Sequence, residues 1–543
     1  MKDVLNPNSY SWQESGVCFQ TADTALQKLY DKAEELCRKN IRQYNEFDVL
    51  IEGEKYNGVW METQPMGGEM YAKRNIKAAL SNILIFLRYQ RRDGKFPGMI
   101  MHNDVMGTMP YYDWMQGLFL PYAALKLYYL TGKEPEYLQA VYTALEDYDA
   151  FLWKYRDSDG DGCLETWCIW DTGEDNFTLQ ELNGINPMDH GAYGGIVPPE
   201  NYGNLPYESP QYMAYSYAGR KVLAEISKLL QNGKAQEWEA KAEAVREKFK
   251  SYLWDADKKA CYARDKDNQT MYCLTQENIK CLYEGIFDQE MADAFIREHL
   301  LNEEEFWTPY PIPSIAVNDP YFHVSREYSN CYDRLAALEK AEGNIQVNSW
   351  SGPVNGLTCQ RSVDALLNYG HHAETVLLGR KFLRMLKENP GFVQNYNPFT
   401  GQQHGDKDGY GPTMLAFLEY ISILHGVNYA YDTLLWTGIA DAGAFTYTQN
   451  LLGDTYTLVH ADGKNSAYIN GECVFTATEN LRVKTDRAGR ILAVYGLREE
   501  NTEATLVYRG TEYTMRIQPN EEVCVRNGAI QHVRTVDFKY GTK

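Results

Sequence analysis

The sequence predicts a mainly α chain, an (α/α)6 toroid or six-hairpin barrel over residues 1–430, followed by a small β-sandwich over 431–543. Three observations carry this expectation. At 543 residues the chain exceeds what one compact core usually holds, so a large unit with a smaller appendage is expected. Apolar residues recur at helical spacing in about twelve segments up to residue 425. From about Tyr431 the texture changes to short alternating runs such as Thr455-Tyr-Thr-Leu-Val-His460, the pattern of half-buried strands.

Segment 21–42 sets Ala22, Ala25, Leu26, Leu29, Tyr30, Ala33, Leu36 and Cys37 on one helical face, with Thr21 or Thr24 to cap its first turn. Similar spacing predicts helices over 70–91, 115–131, 134–155, 209–231, 234–253, 275–284, 288–299, 325–341, 357–369, 371–388 and 411–425. Several open on start signals such as Ser209-Pro210, Thr275 and Asp288. Short turns alternate with long, aromatic-rich connections, which suits a ring of helical hairpins around one central cavity. The connections 92–114, 156–208 and 300–324 then wall a cleft, because loops of that length inside a domain are usually functional. In the C-terminal part, Asp486-Arg-Ala-Gly-Arg490 and Arg509-Gly-Thr-Glu512 read as hairpin turns. No low-complexity linker separates the two parts, so the sandwich is expected to pack on the barrel.

A formal charge of −21 argues against nucleic acid as a partner, since such binding rests on basic patches that neutralise phosphates. No apolar run approaches the roughly 20 residues that a membrane helix needs, and Met1-Lys-Asp-Val-Leu-Asn-Pro-Asn-Ser9 lacks the apolar core of a signal peptide. A cytoplasmic protein without a membrane partner is the expectation. The 11 cysteines are odd in number and scattered, which indicates reduced, buried thiols rather than a disulfide or zinc framework. The histidines show no metal-site spacing. The oligomeric state is left open.

Chemistry concentrates in Arg156-Asp-Ser-Asp-Gly-Asp-Gly-Cys-Leu-Glu-Thr-Trp-Cys-Ile-Trp-Asp-Thr-Gly-Glu-Asp-Asn176. Asp157, Asp159 and Asp161 have the 1, 3, 5 spacing of a calcium loop, with the Cys163 carbonyl and Glu165 at positions 7 and 9. Gly162 holds the sixth position, but the twelfth is Cys168 rather than a bidentate Glu, so a complete EF-hand is excluded. A structural Ca2+ and a cation-free Asx-turn loop both fit; no organic cofactor is indicated. Acids beside Trp167 and Trp170 suggest a sugar site, since aromatic faces stack on sugar rings. Trp114, Trp307, Tyr310 and Trp350 fall on predicted loops and are further stacking candidates.

Trp170-Asp-Thr-Gly-Glu-Asp-Asn176, Trp350-Ser-Gly-Pro-Val354 and Gln394-Asn-Tyr-Asn-Pro-Phe-Thr-Gly401, in that order, together resemble the (α/α)6-barrel inverting glycosidases. That clan includes family 63 α-glucosidases, family 37 trehalases and mannosylglycerate hydrolases. The resemblance implies an exo-acting, inverting α-glycosidase for short oligosaccharides or glycosides, with a small carbohydrate as its partner. It makes Asp175 the general acid that protonates the leaving oxygen, and sets Asn176, Asn395 and Tyr396 in the sugar site. Such an acid must stay protonated near neutral pH, which desolvation and the neighbouring charges of Asp171 and Glu174 favour. An inverting enzyme needs a second carboxylate to deprotonate the attacking water. Gln394 stands where the motif normally carries that acid, and a neutral amide cannot take the proton. Either another base is recruited, with Asp406 and Asp408 the nearest, or the chain is an inactive Glu-to-Gln form. A non-catalytic, carbohydrate-binding or regulatory descendant is the alternative. Arg361 begins a helix where the motif normally runs apolar and would bind a charged aglycone or pair an acid.

Overall fold

A computed structural model describes residues 3–54, 56, 58–174, 196–198, 206–322, 324, 350–404 and 408–539. Twelve α-helices are found among them. They are α1 (Thr24–Lys39), α2 (Gln64–Tyr71), α3 (Ile76–Arg88), α4 (Pro121–Leu130), α5 (Pro135–Tyr155), α6 (Pro210–Leu230), α7 (Ala235–Tyr252), α8 (Glu277–Glu284), α9 (Gln289–Phe295), α10 (Gly356–Leu367), α11 (His372–Glu388) and α12 (Gly411–His425). Asp23, rather than Thr21 or Thr24, caps α1, its carboxylate accepting from the amides of Ala25 and Leu26. Ser209 caps α6 with Pro210 in its first turn, as the start signal predicts. The segment 325–341 lies outside the described residues.

The even-numbered helices contact one another in cyclic order: α2 on α4, α4 on α6, α6 on α8, α8 on α10, α10 on α12, and α12 back on α2. These six are buried on nearly every side; all residues of α2, α8 and α12 are buried. Outside them, α3 packs on α2, α5 on α4 and α6, α7 on α6, α11 on α10 and α12, and α1 on α12. The outer helices carry the apolar stripe from which periodicity finds a helix. Periodicity places one helix over 70–91, whereas the chain forms α2 and α3 on either side of Asn75, which caps α3. A helix buried all round has no polar face to mark it, and Gly68 lets α2 approach α3 so closely that a Cβ there would lie 2.6 Å from that of Asn82.

Beyond α12 two antiparallel sheets pack together. One holds six strands between Gly426 and Thr535, the other seven. The boundary at 430/431 is crossed by an N-terminal strand, since Gly16–Thr21 pairs with Phe445–Leu451 at the edge of the seven-stranded sheet. The isolated strand 16–21 carries too little alternation to announce a partner more than four hundred residues away. The sandwich is tied to the helices through buried Arg482, which bonds the ring nitrogen of His372 (2.8 Å), the carbonyl of Ile423 (3.2 Å) and Thr437 (2.9 Å). Asp486 Oδ1 accepts from the amides of Ala488 and Arg490 in one hairpin turn, and Arg509-Gly510 supplies two positive-φ residues in the other.

Candidate active site

The described parts of the motifs meet the N-terminal turns of inner helices: the turn 171–174 bonds Gln211 of α6 and Gln276 just before α8, and Thr413 of α12 donates to the Val393 carbonyl beside the third motif. Trp350–Val354 runs into the strand Val354–Asn355, which pairs with Asn395–Tyr396, which in turn pairs with Gln403–His404. Asn355 then caps α10 through the amide of Leu357 (2.8 Å). The amide of Gly356 donates to the carbonyl of Gln394 (2.9 Å); a Cβ on Gly356 would lie 1.8 Å from Thr413 Oγ1, so this crossing requires glycine. Gln394 is 7 % exposed, and its side-chain oxygen accepts from the Tyr56 hydroxyl (3.3 Å).

The first motif forms a turn whose acids are locked in place. Asp171 is buried and receives the Arg156 guanidinium together with the amides of Trp167 and Met115, both at 2.9 Å. Burial pushes its carboxyl up, but the Arg156 charge outweighs burial and holds it below the ordinary range. Glu174 is also buried. It meets Lys280 (2.8 Å), Gln276 (2.7 Å) and Gln211 (3.1 Å). Beside it, burial and then the charge of Glu174 push Glu277 up to about 7. Asp175 and Asn176 lie outside the described residues, as does Asp406.

Facing this turn is Glu62, on the loop before α2 and only 6 % exposed. Its Oε1 accepts from Gln116 (3.2 Å), and Arg361 Nη2 stands 3.9 Å from its Oε2. Gly173, at φ 78°, passes so close that a Cβ would lie 1.7 Å from Glu62 Oε2. The carboxylate therefore rests on the backbone of the turn that ends just before Asp175. The short sheet formed by 58–60, 99–103 and 107–111 fixes this loop.

The stacking candidates separate into two groups. Trp114 and Trp170 are half-buried and meet edge to face at 5.0 Å, with Tyr111 stacked on Trp114 at 6.4 Å. Trp307 and Trp350 are instead buried core residues, and Lys381 covers the Trp307 ring at 4.4 Å, so neither offers a face to a sugar. Tyr310 bonds Glu388 and lies under Arg384, both on outer helix α11. Asn395 and Tyr396 are buried; Asn355 donates to Asn395 (3.1 Å), and the Tyr396 hydroxyl closes the turn by donating to the carbonyl of Gly391 (2.6 Å). Arg361 is fully buried over the Phe119 ring (4.1 Å), without a hydrogen bond among the described residues. Asp408 accepts the amide of Phe392 (2.7 Å) and pairs with Lys32, its side chain 40 % exposed, bracing the loop after the third motif.

In the predicted cation loop, Asp157, Asp159 and Asp161 offer carboxylate oxygens within 4.8 Å of one another. The backbone amides of Gly162, Asp161 and Cys163 also bond these three acids. Lys248 reaches Asp161 (3.1 Å), and both Glu165 oxygens are taken by Ser158, one also by Trp167. A residue that sequence spacing misses joins them: Glu208, from the strand Tyr207–Glu208 that pairs with Glu165–Thr166. Its oxygen lies in a second cluster with Asp159 and Glu165. Burial, and then the nearby acids, push it up to about 8.

Glu62, Tyr56 and Gln116 are likewise absent from the sequence reading. The signal was present in Trp60-Met-Glu62, an acid beside a tryptophan on a loop before a helix, the same pattern that points to a sugar site at Trp167 and Trp170.

A model of the mannosylglycerate hydrolase MGH1-like glycoside hydrolase domain matches residues 71–411. Among solved structures, the GH63 mannosylglycerate hydrolase from Thermus thermophilus in complex with glucose is 18% identical, with a TM-score of 0.58 over 72% of this chain and 99% of that one. Neutral trehalase Nth1 from Saccharomyces cerevisiae is 14% identical, with a TM-score of 0.52 over 72% of this chain and 79% of that one. A sialidase is 15% identical, with a TM-score of 0.64 over 87% of this chain and 42% of that one. At these identities the likeness is one of fold. No curated protein matches the chain.

Proposed function

Because the chain belongs to the mannosylglycerate hydrolase MGH1-like glycoside hydrolase family, we propose that it acts as an exo-acting, inverting hydrolase on a short, gluco-configured α-glycoside bound in a closed (α/α)6 toroid. The cyclic order of the inner helices supports the closure. Asp175 is the general acid in this reading, Trp114 and Trp170 supply the aromatic wall, and Gln394 stands on the side of the attacking water. The observation that carries it is the turn Asp171–Glu174, whose two acids are saturated with donors. A rigid turn ending at the residue before the acid is what positioning chemistry requires. The chemistry is tested on a panel of α-glucosides, α-mannosides and α-galactosides. The unmodified protein should release sugar from at least one of them, and Asp175→Asn should lower kcat by about 10²–10⁴-fold while binding persists.

One observation favours a second reading, the amide at position 394. A carbohydrate-binding or regulatory descendant would bind a sugar of the panel, seen by calorimetry, and release none.

The same reading includes a structural calcium ion held by Asp157, Asp159, Asp161 and the Cys163 carbonyl, with Glu208 as a further donor. Hard oxygen donors suit this cation. Glu208 is 5 % exposed, and its Oε2 is buried without a hydrogen-bond partner among the described residues, a costly arrangement that a cation relieves. The ion would tie the loop before the first motif to the start of α6, without a part in the chemistry. The melting temperature should fall after chelation and calcium should restore it; no shift in either direction leaves an Asx-rich turn. The ten described cysteines are all free thiols, which suits a reducing, cytoplasmic setting.

A further inference from the structure

We propose that the cavity between helices α8, α10 and α12 and the six-stranded sheet is a second ligand site, built for a phosphorylated monosaccharide and independent of the hydrolytic reading above. Strand register assembles its charged wall. Thr437, Arg482, Tyr495, Glu522 and Arg534 stand directly opposite one another across consecutive strands, so they share one face of the sheet. Lys484, two residues on from Arg482, lies on that face as well. The bonds of Arg482 to His372 and to the Ile423 carbonyl turn the face toward the helices.

The face does not seat flush on them. Sheet and helices enclose about 400 Å³, lined from the sheet by Lys484, Tyr495 and Arg534 and from the helices by Tyr283, Leu367 and His372. Small-molecule sites occupy about 300–1,000 Å³.

The cavity gathers positive charge in a chain whose formal charge is −21. Arg482 is fully buried and bonds only neutral partners: Thr437, the Ile423 carbonyl and His372. Burial and the charges of Arg482, Arg534, His371 and Lys484 hold His372 well below the ordinary imidazole range, so its ring is neutral. Lys484 makes no hydrogen bond or ion pair among the described residues. Arg534 meets Glu522 through Nε (2.9 Å), which leaves its Nη groups without a hydrogen bond among the described residues. Asp364, an acid of the lining, is taken by Lys126 at 2.8 Å. Carbonyls at helix ends repel an anion, but here they are bonded already. The Tyr122 hydroxyl donates to Glu284 (3.2 Å), Asn368 to Tyr283 (2.8 Å) and Arg482 to Ile423 (3.2 Å).

Donors for a sugar stand beside the cations. Tyr283, Tyr431 and Tyr495 line the cavity, and their hydroxyls make no hydrogen bond among the described residues. Burial raises all three phenols, so they keep their protons and donate. The Tyr495 ring is held in place by stacking on His372 at 4.0 Å. Lys484 and Arg534 suit the charge of a phosphate monoester, close to −2 at neutral pH, and the phenols suit ring hydroxyls.

The test is calorimetry on the full chain with glucose, mannose and fructose 6-phosphates and with inorganic phosphate. At least one ester should bind with Kd below about 1 mM, and inorganic phosphate at least about tenfold more weakly. Lys484→Met should weaken the ester at least about tenfold. Leu435→Trp, which fills the cavity from the sheet side, should abolish binding, whereas Trp170→Ala in the aromatic wall of the catalytic site should leave it unchanged. Silence of all three esters, phosphate bound as tightly as they are, or affinity that survives Lys484→Met overturns the proposal. Loss of the signal in Trp170→Ala overturns it too, by placing the ester in the catalytic site. Should Leu435→Trp fail to fold, Lys484→Met alone decides. Hydrolysis is read separately on the α-glycoside panel, so failure here leaves that reading untouched.

Discussion

The turn 171–174 and the strand 207–208 beside the cation loop treat buried acids in opposite ways. Asp171 and Glu174 are met by a guanidinium, an ammonium, two amide side chains and two backbone amides. Glu208 is 5 % exposed, yet its Oε2 has no hydrogen-bond partner among the described residues, and burial pushes its carboxyl up to about 8. Charge-assisted bonds on every lone pair hold an acid in one protonation state and one position. That suits a scaffold, whereas an acid short of donors is left to hold a proton or to meet a cation. The amount of coordination around a buried acid, more than its burial, separates the two roles.

The comparison is broken most severely by removing a partner from the saturated side. Arg156→Met leaves Asp171 buried without its cation and should cost about 3–5 kcal/mol, read as a lower melting temperature; an unchanged melt would mean the turn is not held by charge. On the other side, Glu208→Gln should reduce or abolish the rise in melting temperature that calcium gives the unmodified protein; an equal rise in the variant would leave Glu208 outside the cation site.

A smaller effect comes from Glu277. Its carboxyl titrates near 7 in the folded protein against an ordinary 4.5. Between these values the folded state holds a proton that the unfolded state has lost, so this acid makes stability fall as pH rises from about 4.5 to 7, and level off above. Melting temperatures of Glu277→Gln across that range should lack this component of the decline. A profile identical to that of the unmodified protein would contradict it. The smallest effect belongs to the aromatic wall. Trp170→Ala should raise KM about three- to tenfold with kcat nearly unchanged, in keeping with about 0.5–1.5 kcal/mol for an aromatic contact, whereas Trp307→Ala should act on stability and leave KM alone.

Much of the fold was legible because outer helices carry apolar stripes and sandwich strands alternate. What escaped was whatever lacked a polar face or a local partner. The buried helix α2 merged with α3, and strand 16–21 found its partner only across the whole chain. The site divides along the same line. Ordered motifs located Asp171, Glu174 and Gln394 through local pattern, whereas Glu62, Gln116 and Lys280 meet that turn only through packing of separate helices, which no spacing in the sequence records. Tryptophans on predicted loops were ambiguous for a physical reason: Trp307 and Trp350 follow the same local chemistry as Trp114 and Trp170, and burial alone tells them apart.

The central claim, that this chain hydrolyses an α-glycoside by direct attack of water activated on the face opposite the leaving group, is tested most directly by the configuration of the first-formed product. Proton NMR during the first minutes of turnover, before the sugar mutarotates, should show the β-anomer appearing alone from an α-glycoside. The α-anomer as first product would contradict the account, since it requires a covalent intermediate and makes the second carboxylate a nucleophile.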